Sequence, residues 1–401
     1  MSRIKKIVIA TGIWPPDIGG PATYAEGFSQ RLAELGWKVK IITYATRKSK
    51  IKNQNEKLRK FASQTFIEKE NTREIYFISK KWPKGIRHLI YFGRVLWAAK
   101  GAEVVYALDA TAAGAPAAGV AFLLRKKFLI RIGGDLLWER AAESGQFSGP
   151  MNDFYESGFY KSFRPFIFRV VRFVLRRARV IFITAENMGE VYEKYYGVKR
   201  EKIKLLPNVF EGRAGNEENY FRSKSLKTIL FAGRFVRYKN LERLIKVLGE
   251  VYEKIKPAKL VLIGEGPERE ELELKVKSLS LNFTRDISLK DKVEIKETVS
   301  REELKRIIAE SDLGVALAWT EYNPNFILEC LKAGTPVLVS RENGLSVKLP
   351  EMFLADPFSD KEIGEKIISI LTGPQEAKAV AESLSFSYNW EDSARDLIEN
   401  L

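Results

Sequence analysis

Along most of the chain, apolar runs of strand length alternate with apolar stripes at helical spacing, and polar loops separate them. Residues 6–11 read as a buried strand. After the loop 12–21, the stripe Tyr24, Phe28, Leu32 and Leu35 predicts a helix ending at Gly36, and 39–43 read as the next strand. Residues 47–70 are polar and lysine-rich and read as a loop or a solvated helix. The alternation resumes with strands over 75–78, 103–107, 128–132, 180–184 and 203–206. Helices over 86–100, 111–124 and 188–195, and a long one before 180, separate them. Pro207 and Asn208 then open a polar, irregular stretch at 211–225, the best domain boundary. Beyond it, strands over 228–232, 259–263, 293–295, 312–319 and 336–340 alternate with helices over 241–252 and 324–332. This pattern predicts parallel sheets covered by helices on both faces, an α/β chain of two Rossmann-like domains, 1–207 and 208–385. Residues 386–401 form a separate closing segment, whose amphipathic helix carries Trp390, Ala394, Leu397 and Ile398.

Composition agrees with that picture. The chain has 401 residues, too many for one ordinary core. It is 45% hydrophobic and 29% charged, a globular balance. The single cysteine, Cys330, excludes an intramolecular disulfide and suits a reducing compartment. The basic, apolar start MSRIKKIVIATG is read as the first strand and not as a signal peptide, because Gly12, Pro15 and Pro16 interrupt it. No apolar run reaches the roughly 20 residues of a membrane-spanning helix, so a cytoplasmic location is expected. The net charge of +16 implies attraction to anions: nucleotides, nucleic acid or acidic headgroups.

Candidate chemistry collects where predicted strands end. Asn323 is a plausible N-cap with Pro324 at the first helical position, so a helix N-terminus follows a strand end and offers an anion site. Glu321 and Glu329, eight positions apart, flank it, and Asn325, Phe326 and Ile327 supply backbone N–H groups. Arg234 and Lys239 lie in another strand–helix loop, where two cations suit a diphosphate; a solvated basic loop is the alternative. Gly19 and Gly20 sit before the first helix, where a backbone can approach a phosphate closely, or simply turn. The pattern is not G-x-G-x-x-G, so a dinucleotide fingerprint is absent. Asp135 follows a strand end, placed either to touch a ligand or to cap a helix. The only histidine, His88, falls on a predicted helix among Ile86, Leu89 and Ile90 and reads as structural. No cluster of His and Cys and no Asp-x-Asp pair suggests a metal.

These pieces together resemble the retaining glycosyltransferases of family 4. The resemblance is carried by E-x7-E (Glu321, Glu329) followed by Gly334-Thr335-Pro336-Val337, by Gly233-Arg234 with Lys239-Asn240, by the Gly19-Gly20 turn, and by Pro207-Asn208-Val209, where the family has Pro-Asn-Gly. It spans nearly the whole chain. It implies the GT-B architecture, two Rossmann-like domains with parallel sheets facing across a cleft, and a last helix that crosses back to the N-terminal domain. It implies a nucleotide-diphosphate sugar as co-substrate, no other cofactor and no bound metal. Arg234, Lys239, Gly19 and Gly20 would then contact the donor diphosphate, Glu329 the ribose hydroxyls, and Glu321 the donor sugar at its reacting end. The chain departs from the family at Tyr322–Phe326, where Gly-Phe-Gly is usual, and lacks the usual N-domain histidine; Asp135 is the candidate to touch donor sugar or acceptor in its place.

The acceptor implied is a carbohydrate or lipid-linked hydroxyl, as in the synthesis of cell-surface glycan, glycolipid or polysaccharide. Segments 80–100 and 159–179 mix arginines and lysines with large apolar residues, a pattern either of ordinary amphipathic helices or of contact with an anionic membrane at its inner face. The rival readings are a nucleotide-sugar-binding protein that has lost catalysis and a sugar phosphorylase of the same superfamily. No nucleic-acid-binding module is recognisable, so nucleic acid is not an expected partner.

Overall fold

A computed structural model describes residues 5–15, 17, 19–45, 65–70, 72–209, 226–255, 258–279, 292–384 and 387–401. The chain divides into two compact units, and the division is not a single cut. The first comprises Met1–Leu137, Ser157–Val209 and Tyr388–Leu401; the second comprises Trp138–Glu156 and Phe210–Ser387. Residues 138–156, expected in the first domain, therefore cluster with the second. The expected linker, 211–225, lies outside the described residues.

In chain order the first stretch holds β1 (Lys6–Ala10), α1 (Gly20–Glu34), β2 (Lys38–Ala45), β3 (Thr65–Glu70), β4 (Arg73–Ser79), α2 (Lys84–Ala99), β5 (Val104–Ala107), α3 (Gly114–Leu123) and β6 (Lys127–Ile132). Then come α4 (Leu136–Glu143), α5 (Met151–Glu156), α6 (Pro165–Arg177), β7 (Val180–Ile183), α7 (Glu186–Lys194) and β8 (Ile203–Leu205). The sheet order is β3-β4-β2-β1-β5-β6-β7-β8. Seven strands run parallel, and β3 pairs antiparallel with β4 at one edge, from Thr65 opposite Ile78 to Glu70 opposite Arg73. Residues 65–70 are thus an edge strand and not the loop or helix expected; a strand held by backbone pairing at an edge needs no apolar run. Strands β1, β5 and β7 are buried almost throughout, because helices cover both faces, and so they read as continuous apolar runs. The expected helix over 111–124 starts only at Gly114, because the Asp109 carboxylate accepts from the N–H groups of Thr111 and Ala113 at 2.8 and 3.0 Å and holds that turn outside it.

The second unit holds β9 (Lys227–Ala232), α8 (Leu241–Lys254), β10 (Ala258–Ile263), α9 (Arg269–Leu279), β11 (Val293–Lys296), α10 (Arg301–Ala309), β12 (Leu313–Ala316), α11 (Asn325–Lys332), β13 (Val337–Ser340), β14 (Leu354–Ala355), α12 (Asp360–Thr372) and α13 (Pro374–Ser383). Its six strands run parallel in the order β11-β10-β9-β12-β13-β14. Leu244, Ile245, Leu248, Ile327, Leu331, Ile363 and Ile367 pack on it from the helices.

The last helix, α14 (Trp390–Glu399), belongs to the first unit. Asn389 and Asp392 cap its start reciprocally. Ala394 and Leu397 are fully buried in one cluster with Phe28 and Tyr24 of α1. Tyr24 hydrogen-bonds Ser393 at 3.1 Å and stacks on Phe28, and Arg31 pairs with Glu391. Gly27 of α1 lies directly beneath the Trp390 ring.

Candidate functional site

In each sheet the first strand is flanked by one strand that follows it directly and one that arrives later. The switch point lies between β1 and β5 in the first unit and between β9 and β12 in the second. Loops at the carboxyl ends of such strands diverge there and leave room for a ligand.

The second unit places most of the candidate residues at its switch point. After β9 the chain turns through Gly233 and Arg234 and makes one tight turn at Arg237–Lys239. Asn240 is left-handed at φ 62°, and α8 follows. Two glycines of the neighbouring loop make this path possible. Gly264 and Gly266 have φ of 154° and 159°, and a Cβ would lie 1.9 Å from the Gly233 carbonyl oxygen and 2.2 Å from the Phe235 carbonyl oxygen. The Phe235 N–H donates to the Glu265 carbonyl at 2.9 Å, which fixes one loop on the other.

After β12 the chain runs on to Glu321, and the Glu321 N–H donates to the Glu342 carbonyl at 3.0 Å. The Glu321 carboxylate is buried and pairs with the Lys239 ammonium, so the loops after β9 and β12 meet through two residues singled out by sequence. Asn323 is left-handed at φ 65°, and Pro324, not Asn323, occupies the cap position, with Asn325 first in α11. The helix starts one residue later than expected, because Asn accepts the left-handed region that closes the turn. Ile327 is fully buried and its N–H donates to the Pro324 carbonyl at 3.2 Å, so it is not available to a ligand. Phe326 is also in the core. The N–H groups of Asn325 and Phe326 make no hydrogen bond among the described residues and remain as donors.

Glu329 lies one turn into α11, half-buried, and among the described residues makes no ion pair with Lys332 or any other cation. Burial pushes its carboxyl above the usual range, and the charges of Arg301, Lys305 and Lys332 pull the other way. Arg234 is 58% exposed and pairs with Glu143 of α4 at 3.2 Å.

Sequence reasoning gave no role to the segment that supports these loops. Trp138 is fully buried, donates from Nε1 to the Gly149 carbonyl at 3.0 Å, and packs on Tyr238 and Tyr322 at centroid distances of 5.0 and 6.0 Å. The Met151 N–H donates to Thr320 Oγ1 at 3.0 Å. Residues 138–156 thus brace the loops that carry Lys239 and Glu321. The sequence shows only a tryptophan three residues past Asp135; its burial and its partners are properties of the fold.

The remaining candidates belong to the first unit. Gly19 has φ 154° and caps α1, with Gly20 as the first helical residue. Asp109, after β5, lies 3.2 Å from where a Gly12 Cβ would sit, at the switch point itself. Asp135 is buried after β6 and immediately precedes α4. His88 Nδ1 lies 2.9 Å from the Tyr44 hydroxyl of β2, and burial lowers its pKa from the ordinary value. Among the described residues, no group of three or more His, Cys, Asp or Glu is placed to hold a metal ion, and no helix is long and apolar enough to cross a membrane.

Two α/β units built on parallel strands, one sheet with an antiparallel edge strand, each with its own switch point and with the last helix returned to the first unit, define the GT-B fold. The sucrose-phosphate synthase of Thermosynechococcus elongatus shares it over 99% of this chain and 98% of that one, with a TM-score of 0.71 at 18% identity. The glycosyltransferase family 4 pattern matches residues 18–211 and the glycosyl transferases group 1 pattern matches 215–384; the chain belongs to this family. Among curated relatives it is 32% identical over 121 residues, 28% of this chain and 24% of the relative, to a human GDP-Man:Man(3)GlcNAc(2)-PP-Dol alpha-1,2-mannosyltransferase. It is 25% identical over 202 residues, 48% of this chain and 44% of the relative, to the mannosylfructose-phosphate synthase of Agrobacterium fabrum. The chain thus matches under half the length of each.

Proposed function

We propose that this chain transfers a sugar from a nucleotide-diphosphate donor to an acceptor hydroxyl with retention of anomeric configuration. The observation that carries the reading is the pairing of Lys239 with Glu321 between the loops after β9 and β12 at one switch point, with Arg234 on the first of these loops and Glu329 on the helix that follows the second, within a chain of this family. Arg234 and Lys239 would exchange their present carboxylate partners for the donor diphosphate and offset the charge that develops as it leaves. The N–H groups of Asn325 and Phe326 would add neutral donors. Glu329, a carboxylate with no ion-pair partner among the described residues, would accept from two ribose hydroxyls. Glu321 would then face the donor sugar; roles for Gly19 and Gly20 toward the donor diphosphate, and for Asp135 toward sugar or acceptor, are part of the same proposal. Positive charge comes from side chains, so the reading needs no metal. The acceptor is a carbohydrate or lipid-linked hydroxyl.

The test is a thermal-shift screen with UDP-, GDP-, ADP- and TDP-sugars, with Arg234→Ala and Glu329→Ala beside the wild type. Ligand that binds the native state raises Tm with its concentration. One nucleotide class should stabilise the wild type and neither variant. Absence of any shift, or equal shifts in all three proteins, would remove the donor site from this position. Retention is read from the anomeric configuration of the product, and metal independence from turnover in excess chelator.

A further inference from the structure

One face of the first unit differs from the rest of the molecule. The right-handed crossovers of a parallel sheet put helices on opposite faces when strand order reverses direction. Accordingly α1 packs with α14, whereas α2 packs against α3 and α3 against α6. Small residues on α3 let the helices approach closely; a Gly119 Cβ would lie 3.3 Å from the Phe92 ring. Between α3 and α6, the Arg177 guanidinium sits 3.8 Å from the Phe122 ring centroid. The three helices thus make one continuous surface.

That surface is both apolar and cationic. Among the described residues, eleven large hydrophobic side chains are exposed, and seven of them lie on α2, α3 and α6, so the exposure is concentrated and not scattered. Leu89 and Phe166 are 73% and 75% exposed, on α2 and α6; Phe122 and Leu123 end α3. The same helices hold seven lysines and arginines and no aspartate or glutamate, so nothing on them neutralises the charge. Arg169, Arg172, Arg176 and Arg177 are all exposed on α6.

We infer that the α2–α3–α6 face docks on an anionic lipid bilayer. Exposed leucine and phenylalanine side chains enter the boundary between headgroups and acyl chains, and the flanking guanidinium groups meet lipid phosphates. Charge selects this occupant. A second copy of the chain placed on the face by a twofold axis would set arginines against arginines. A polyanion such as RNA would meet the cations but leave Leu89 and Leu123 in water. The inference does not depend on the proposed sugar transfer, since binding to lipid is measured without donor or acceptor. If both hold, a lipid-linked acceptor is the simplest reason for one chain to carry both.

The experiment is co-flotation of the full chain with vesicles of phosphatidylcholine alone and of phosphatidylcholine mixed with phosphatidylglycerol, at about 0.15 M salt, where the screening length is about 8 Å. Two double variants address the face, Leu89→Ser with Phe166→Ser, and Arg169→Glu with Arg176→Glu. Leu274→Ser, which removes a 65% exposed leucine on α9, is the control. Circular dichroism and Tm check that each variant is folded. The wild type should float with the anionic vesicles only. Each cation near an anionic surface is worth about fivefold in binding, so the arginine pair should cost about 25-fold or more. The Leu89/Phe166 pair should cost at least about tenfold, and Leu274→Ser nothing. Equal binding to both vesicle types would overturn the inference, as would unaltered binding by the Leu89/Phe166 variant. So would RNA binding that matches vesicle binding in its loss with the arginine pair and is untouched by the Leu89/Phe166 pair. A dimer, seen by light scattering and broken by Leu89→Ser with Phe166→Ser, would assign the face to self-association instead.

Discussion

Gly27→Ala is a sharp test of how the closing helix is seated. An alanine within an exposed helix would normally stabilise by about 1 kcal/mol over glycine. Here the new Cβ would lie 2.2, 2.5 and 2.6 Å from three atoms of the Trp390 ring, and ordinary contact begins at 3.4 Å. The ring must therefore retreat by at least about 1.2 Å (3.4 minus 2.2). Trp390 is the first residue of α14, so a retreat lifts the start of that helix. Overpacking of this size costs about 1–3 kcal/mol. If α14 tilts, the 3.1 Å bond between Tyr24 and Ser393 goes too, at about 1 kcal/mol. The net expectation is a loss of about 1–3 kcal/mol. Urea denaturation followed by far-UV circular dichroism measures it, in the transition that Leu397→Ala also lowers. In a Trp390→Ala background the same Gly27→Ala change should become neutral or stabilising by about 1 kcal/mol. Stabilisation of the otherwise wild-type chain would refute the packing of α14 on α1.

Three further outcomes are expected. Lys239→Met should lower the stability of the second unit by about 3 kcal/mol or more, because Glu321 is left buried without its partner; adding Glu321→Gln should recover part of that loss in a denaturation cycle, and strict additivity would dismiss the pair. Glu329→Gln should stabilise the ligand-free protein at neutral pH: a carboxyl whose native pKa lies above its unfolded value penalises folding once ionised, so the gain should grow as pH rises through the native pKa and vanish below about 4.3. Melting curves from pH 4.5 to 8 would show it, and a pH-independent difference would rule out a charge effect. Gly264→Ala should abolish or destabilise the fold by more than about 3 kcal/mol, since the obstacle is a backbone carbonyl at 1.9 Å; an unchanged Tm would mean the two loops are not in contact.

Much of the architecture was legible because parallel strands buried on both faces leave short apolar runs. β1, β5, β9, β10, β12 and β13 all announced themselves this way, within a few residues of their ends. β3 did not, since an edge strand is held by its backbone and Thr-Phe-Ile-Glu-Lys-Glu contains no long apolar run. α4 and α5, eight and six residues long, are too short to show a stripe. Glu321 and Lys239 were visible as separate motifs, but their pairing across 82 positions is a property of the folded sheet. The bracing by Trp138 was hidden for the same reason: nothing in a local pattern says that residues 138–156 leave the unit that precedes and follows them. The start of α11 was misplaced by one residue because Asn323 serves equally well as a cap and as a left-handed turn, and only the backbone decides.

The return of Tyr388–Leu401 to the first unit has a consequence for how the chain is made. A ribosome delivers β1 and α1 early, yet Tyr24 and Phe28 wait for Ala394 and Leu397, which emerge only after the whole second sheet has been synthesised. The usual order, in which the N-terminal domain is finished first, is reversed: the second unit can complete its core while the first still shows an uncovered apolar face to solvent and to chaperones. A nascent chain stalled just before Trp390 should therefore carry a mature second unit beside an unfinished first one, and protease pulses on such stalled chains would see the difference.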